Sequence, residues 1–210
     1  MDTKKTLQNY LDELSSGSPT PGGGNVAALC GTLASSLGIM VCNLTIGKKK
    51  YLDFEAEANR IKEKLTSFKN DFIEFARKDN EAFDKVMEAF KLPKNNEAEI
   101  NSRSEKIQSA TLEAAMVPAE VLRKCNEVIP LIKIISEKGN QNSLSDAGVA
   151  ASLISSSAEG AYLNVLINCT SLTNQITARE VLKTNEIIYR EVKEKSAEII
   201  STIIKRMSSQ

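Results

Sequence analysis

The chain has 210 residues, enough for one substantial domain whose core needs no disulfide staples. Its 27 Lys and Arg balance 27 Asp and Glu, aromatics are 5%, and Trp is absent, which argues against a nucleic acid or an acidic membrane surface as partner. Histidine is absent too, so the commonest metal ligand and the commonest general base are both missing, and any catalysis has to rest on carboxylates, lysines, tyrosines or backbone groups.

The polar start, Met1 to Lys5, has no signal-peptide pattern. From Thr3 to Ser16, Leu7, Tyr10, Leu11 and Leu14 recur at helical spacing and predict a short amphipathic helix. A loop of Pro19, Thr20, Pro21, Gly22, Gly23 and Gly24 then delivers the chain into a run, Asn25 to Ile46, with no charged residue. Asn25 suits an N-cap and Gly47 a C-cap. Large apolar residues (Val26, Leu29, Leu33, Leu37) interleave with small ones (Ala27, Gly31, Ser35, Gly38), which predicts a helix buried on every side and packed closely through its small positions. The run is long enough to weigh as a membrane span. Its Thr32, Ser35, Ser36, Asn43 and Thr45, and its lack of aromatic anchors, argue against one.

From about Asp53 to Lys91 the apolar stripe Ile61, Leu65, Phe68, Phe72, Phe75, then Phe83, Val86, Phe90 keeps helical steps except where Asp79 stands in it. A buried carboxylate needs donors, a cation or a reason to be protonated. Leu92 to Asn96 breaks the helix. The next is expected from Glu97 to about Asn126, with Ile100, Ile107, Leu112, Ala115 and Leu122 facing the core and Pro118 kinking it. A separate short helix is expected from Glu127 to Lys138. Ser143 or Ser145 caps a second charge-poor, small-residue helix running to about Cys169, and an amphipathic one spans roughly Asn174 to Arg206. Strand signals are absent. The expected fold is all-α, a single-domain helical bundle over residues 1–210 with two buried small-residue-rich helices wrapped by amphipathic ones. The four cysteines form no CxxC pair and read as free thiols of a reducing, cytoplasmic compartment.

Three segments together carry a resemblance: PTPGGGNVAALCGTLASSLGIMVCNLTIGKKKY from Pro19, KDNEAFDKVMEAFKLPK from Lys78, and GNQNSLSDAGVAASLISSSAEGAYLNVLIN from Gly139. The chain resembles the cyclodeaminase domain of formiminotransferase-cyclodeaminase and the related stand-alone methenyltetrahydrofolate cyclohydrolases, over almost its whole length. The resemblance implies an all-α homodimer doing folate one-carbon chemistry, with a tetrahydrofolate derivative as substrate, polyglutamylated or not. No further cofactor and no metal are expected, and a separate formiminotransferase is left open as a partner. The leading reaction it implies is conversion of 5-formiminotetrahydrofolate to 5,10-methenyltetrahydrofolate with loss of ammonia. The alternative is hydrolysis of the methenyl compound to 10-formyltetrahydrofolate. A non-enzymatic helical interaction domain is the reading from another class.

Each motif has a bland reading beside the functional one. Gly22, Gly23 and Gly24 either make a tight turn or offer free N–H groups, with Asn25, to the carboxylates of a folate tail. Asp79 and Lys94 are either a buried ion pair that sets helix register, or a general base and the group that orients it. Asp84 departs from the family pattern, where an amide stands, and is expected to face solvent. Asn140, Ser145 and Asp146 can be read wholly as capping chemistry. The functional reading puts Asn140 and Asp146 on the pterin, whose amino edge a carboxylate can grip, and the resemblance favours it for Asp146. Asn164 and Asn168, one turn apart, can hydrogen-bond across a helix interface or bind ligand, and the structural reading is the favoured one.

Overall fold

The structure, a computed structural model, describes residues 5–209. Among these it has six α-helices, two short 3-10 turns and no strand. Helix α1 (Leu7–Leu14) is capped by Thr6, whose side chain accepts from the Asn9 N–H, and buries only Tyr10. Helix α2 (Gly23–Thr45) begins three residues earlier than expected, with Gly22 rather than Asn25 as N-cap. It ends where the sequence implies, ahead of Gly47, whose φ of 75° lies in the left-handed region that favours glycine.

The expectation that α2 is buried on every side is corrected. Its small face is inside: Gly24, Ala27, Ala28, Gly31, Ala34, Ser35 and Gly38 are buried. Several of its large residues point out, with Leu33, Met40 and Leu44 exposed, while Val41 is buried and Leu37 and Ile39 pack partly against the core. Close approach of helix axes needs small side chains between them, and that requirement turns the leucines outward. By length and composition α2 could cross a membrane, but its inward face is already taken up by α3 and α5.

A Cβ added at Gly31 would sit 2.6 Å from the ring of Phe72, itself fully buried. Gly31→Ala is therefore expected to destabilise the fold by about 1–2 kcal/mol. Overpacking costs roughly 1–3 kcal/mol, and alanine's better helix propensity returns up to about 1 kcal/mol. A urea titration should show the lower midpoint with an unchanged slope.

Helix α3 (Leu52–Phe90) drives Ile61, Leu65 and Phe72 into the core. Past Asp79 its stripe leaves the core. Ala82 and Ala89 become the buried positions, while Phe83 and Val86 are half-buried and Phe90 is exposed. Helix α4 (Glu97–Lys138) is one helix of 42 residues, not two, and runs through both Pro118 and Pro130. Each proline removes a backbone bond at roughly 3 kcal/mol. The stripe Leu122, Cys125, Ile129, Ile132, Ile135 is buried without interruption, and that burial outweighs the defect.

Helix α5 (Leu144–Thr170) follows a 3-10 turn. Helix α6 (Gln175–Ser208) starts at Asn174, whose side chain accepts from the N–H groups of Ile176 and Thr177. α2 and α5 lie antiparallel at the centre. Ser157 Oγ donates to Ala27 O at 2.7 Å near one end, and Asn140 Nδ2 donates to Leu44 O at 2.9 Å near the other. α3, α4 and α6 wrap this pair. All four cysteines are free thiols, and burial pushes Cys125 up to about 12.

Candidate active site

The irregular residue of α3 meets the start of α2. The Asp79 carboxyl lies directly against the Cα of Gly24: a Cβ there would come 2.7 Å from Cγ and 2.9 Å from Oδ2. The backbone N–H of Asn25, in the first turn of α2, favours the charged form of this carboxyl. The first N–H groups of a helix have no partner inside it, and here the protein supplies an anion of its own. Burial holds the Asp79 pKa above the ordinary aspartate value, and the Asn25 N–H draws it part of the way back. Among the described residues Asp79 has no ion-pair partner.

Asn25 is neither an N-cap nor a cleft residue. It is fully buried. Its Oδ1 accepts from the Tyr10 hydroxyl at 3.0 Å, and its Nδ2 donates to Ala76 O at 2.7 Å and Asn80 Oδ1 at 3.2 Å. It ties α1, α2 and α3 together at the point where Asp79 meets the start of α2.

Asp79 and the glycine loop open onto a cavity of about 320 Å³ whose other walls include Phe83, Val86, Asn164, Ile167 and Asn168. Asn164 Nδ2 donates to Gly160 O at 2.8 Å, and Asn168 Nδ2 donates to Asn164 O at 2.9 Å and Ala114 O at 3.2 Å. Asn168 thus spends both N–H donors on backbone, and Asn164 one of its two. Neither Oδ1 accepts from a protein donor among the described residues. The structural reading of these asparagines holds for half of each side chain, and the other half lines the cavity. A second hollow of about 500 Å³ adjoins across Val86 and Asn168, walled by Phe90, Ile100, Arg103, Ile107 and Thr111 among others. Ile100 is accordingly exposed, not in the core.

Gly22, Gly23 and Gly24 all line the first cavity. The other expected site residues lie elsewhere within the chain. Lys94 is exposed in the loop after α3. Eleven residues of helix, about 16 Å at 1.5 Å per residue, separate Asp79 from the end of α3, so the two form no pair. Asp84 is exposed and lines neither hollow. Asn140, Ser145 and Asp146 sit at the start of α5, whereas the cavity is built from its other end, about 27 Å away along the axis. Asn140 is fully engaged in local structure. Its N–H donates to Thr45 Oγ1, its Nδ2 to Leu44 O, and its Oδ1 accepts from the Asn142 N–H. Ser145 is exposed and Asp146 half-buried. Sequence reasoning did not single out Phe83, Val86 and Ile167 as cleft residues, because their helical spacing matches that of core residues.

Residues 6–186 match a family model described as Formiminotransferase-cyclodeaminase. A protein of Methylorubrum extorquens named methenyltetrahydrofolate cyclohydrolase is 43% identical over 206 residues, covering 93% of this chain and 99% of that one. The formimidoyltransferase-cyclodeaminase of Gallus gallus is 29% identical, and the match spans 96% of this chain but 37% of that protein. A crystal structure titled formiminotetrahydrofolate cyclodeaminase, from Thermotoga maritima, superposes with a TM-score of 0.81 at 32% identity, covering 96% of this chain and 98% of that one. With the match of the family model extending over most of its length, the chain belongs to the formiminotransferase-cyclodeaminase family.

Proposed function

We propose that the chain is an enzyme of tetrahydrofolate one-carbon chemistry, and that it hydrolyses 5,10-methenyltetrahydrofolate to 10-formyltetrahydrofolate at the Asp79 cavity. The observation that carries this reading is that Asp79 is the one ionisable side chain among the residues lining that cavity. A single carboxylate suffices for hydrolysis. Asp79 takes a proton from water as the oxygen adds to the bridging carbon. As the bond from that carbon to N5 breaks, the carboxylic acid hands the proton to N5. The second water proton is released, and the formyl group stays on N10. Asp79 also stands opposite the positive charge of the methenyl bridge. The unpaired Oδ1 atoms of Asn164 and Asn168 suit the amino and N–H edge of a pterin. The whole-length similarity to a protein named methenyltetrahydrofolate cyclohydrolase supports the same choice.

Cyclodeamination of 5-formiminotetrahydrofolate is the second reading, favoured by the likeness to the Thermotoga maritima structure. That reaction removes a proton from N10 and protonates departing ammonia, so Asp79 would do both. The lysine expected to help lies outside the cavity. Purified protein given the methenyl compound is expected to remove its chromophore faster than buffer does. Given 5-formiminotetrahydrofolate, it is expected to release no ammonia above background. Ammonia release with growth of the chromophore reverses the two readings.

A homodimer belongs to the same proposal. The outer face of α2, with Leu33, Met40 and Leu44 exposed, carries no charge along its length and suits a second copy. A two-fold axis lying in the plane of that face and perpendicular to α2 sets the Asp146 end of one protomer beside the Asp79 end of its partner. That arrangement is what a pterin-binding role for Asp146 requires.

A further inference from the structure

The two adjoining hollows form one groove along α3, with Asp79, Phe83, Val86 and Phe90 in sequence at steps of 4, 3 and 4 residues. Asp79 is the one acidic side chain among the residues lining it, and Arg103 the one basic side chain. They stand at opposite ends, about 16 Å apart along the helix. Arg103 Nε and Nη2 both donate to Phe90 O, at 3.3 and 3.0 Å, and the guanidinium lies 5.5 Å from the centre of the Phe90 ring. These contacts lock the side chain while using two of its five N–H donors. Arg103 has no carboxylate partner among the described residues. An arginine held in place with its outer N–H groups free is preorganised for a planar anion.

We propose that Arg103 anchors the glutamate carboxylate of the folate tail. The inference rests on the folate reading above. A methenyl folate carries its positive charge at the one-carbon bridge and its negative charge at the glutamate, with an aromatic ring between. The groove presents an anion, then apolar walls (Phe83, Val86, Ile107), then a cation, in that order. The glycine loop, expected from sequence to receive the tail carboxylates, lies instead at the Asp79 end of the groove.

The test compares 5,10-methenyltetrahydrofolate with the same cation carrying an N-methylamide in place of glutamate. A charge-assisted bond of this kind is worth about 1.5–3 kcal/mol, so Arg103→Gln should raise KM for the glutamate substrate about tenfold or more. It should leave kcat and the methylamide KM within about twofold. Arg103→Lys, which keeps the charge without the fork, should fall between. Equal KM changes for both substrates, or none for either, overturn the anchor and make Arg103 only a cap for α3. Calorimetry with p-aminobenzoylglutamate separates this proposal from the reaction itself. Binding that is lost in Arg103→Gln supports the anchor even if the parent protein turns over neither folate, in which case the proposed function alone fails. Binding equal in both proteins sinks the anchor whatever the turnover.

Discussion

Asp79→Asn is expected to lower kcat for methenyltetrahydrofolate hydrolysis by about 10²–10⁴, roughly 3–5 kcal/mol of barrier, without lowering Tm. The amide keeps the shape of the side chain, but it can neither take a proton from water nor pass one to N5. The stability half of the prediction follows from the direction of the pKa. Burial raises the Asp79 pKa in the folded protein above its unfolded value, so between the two values the native state holds more protons than the unfolded one. Stability therefore falls as pH rises through that window, and above it Asp79 is a net burden on the fold. Removing the charge removes the burden, so the variant should melt no lower than the parent at neutral pH, and slightly higher if anything. Activity titrates in the opposite sense. The parent's kcat/KM should rise with pH through the Asp79 pKa, with its half-point above the ordinary aspartate value of about 3.9, and the variant should lose this limb. Activity within tenfold of the parent removes Asp79 from the role of base. A large fall in Tm would make it structural instead.

That aspartate was the most legible part of the site, because it is an exception to a rule. One charged residue in an otherwise apolar stripe demands a physical reason, and the start of α2 provides one. The same reasoning misjudged its neighbours. Phe83, Val86 and Phe90 continue the stripe, and periodicity has no means of telling a core face from the wall of a groove. Lys94 looked close because it ends the same motif, yet a helix runs straight, and residues past its end are carried away from Asp79. Asn140, Ser145 and Asp146 share a motif with Asn164 and Asn168, but 27 residues of α5 make a rod long enough to put the two groups at opposite ends of the molecule. Arg103 is one of many charges in an amphipathic sequence, and only the fold sets it beside Phe90.

The fold class was legible for the converse reason: helical spacing and capping residues repeat along the whole chain and agree with one another. The errors fall where tertiary packing decides. The break expected between Asn126 and Glu127 is absent, because the buried stripe along this part of α4 outweighs the one bond lost at Pro130. The absence of charge in α2 reads as burial all round. Only the packing shows that its small face is inside and that its leucines form an uncharged surface.

The glycine loop gives the second large effect. Gly24→Ala should cost activity on the order of 10²-fold while barely changing stability. The added Cβ would occupy the space of the Asp79 carboxyl, which has to swing away from the Asn25 N–H. A displacement of about 1 Å at a reacting group is worth roughly 10² in rate. A carboxyl at the end of a side chain moves more cheaply than backbone, and alanine is the better helix former by up to about 1 kcal/mol, so the fold loses little. The neighbouring glycines are the controls. A Cβ at Gly22 would approach only Pro19 O, at 3.4 Å, and one at Gly23 only the Asn164 amide, at 3.3 Å. Neither residue has a left-handed φ. Gly22→Ala should therefore retain nearly full activity, and Gly23→Ala should lose severalfold at most. If the three substitutions are equally harmful, the loop matters for its flexibility and the contact between Gly24 and Asp79 is incidental. If Gly24→Ala alone is inactive while its melting curve stays close to the parent's, the third glycine is there to seat a catalytic carboxylate on the end of a helix.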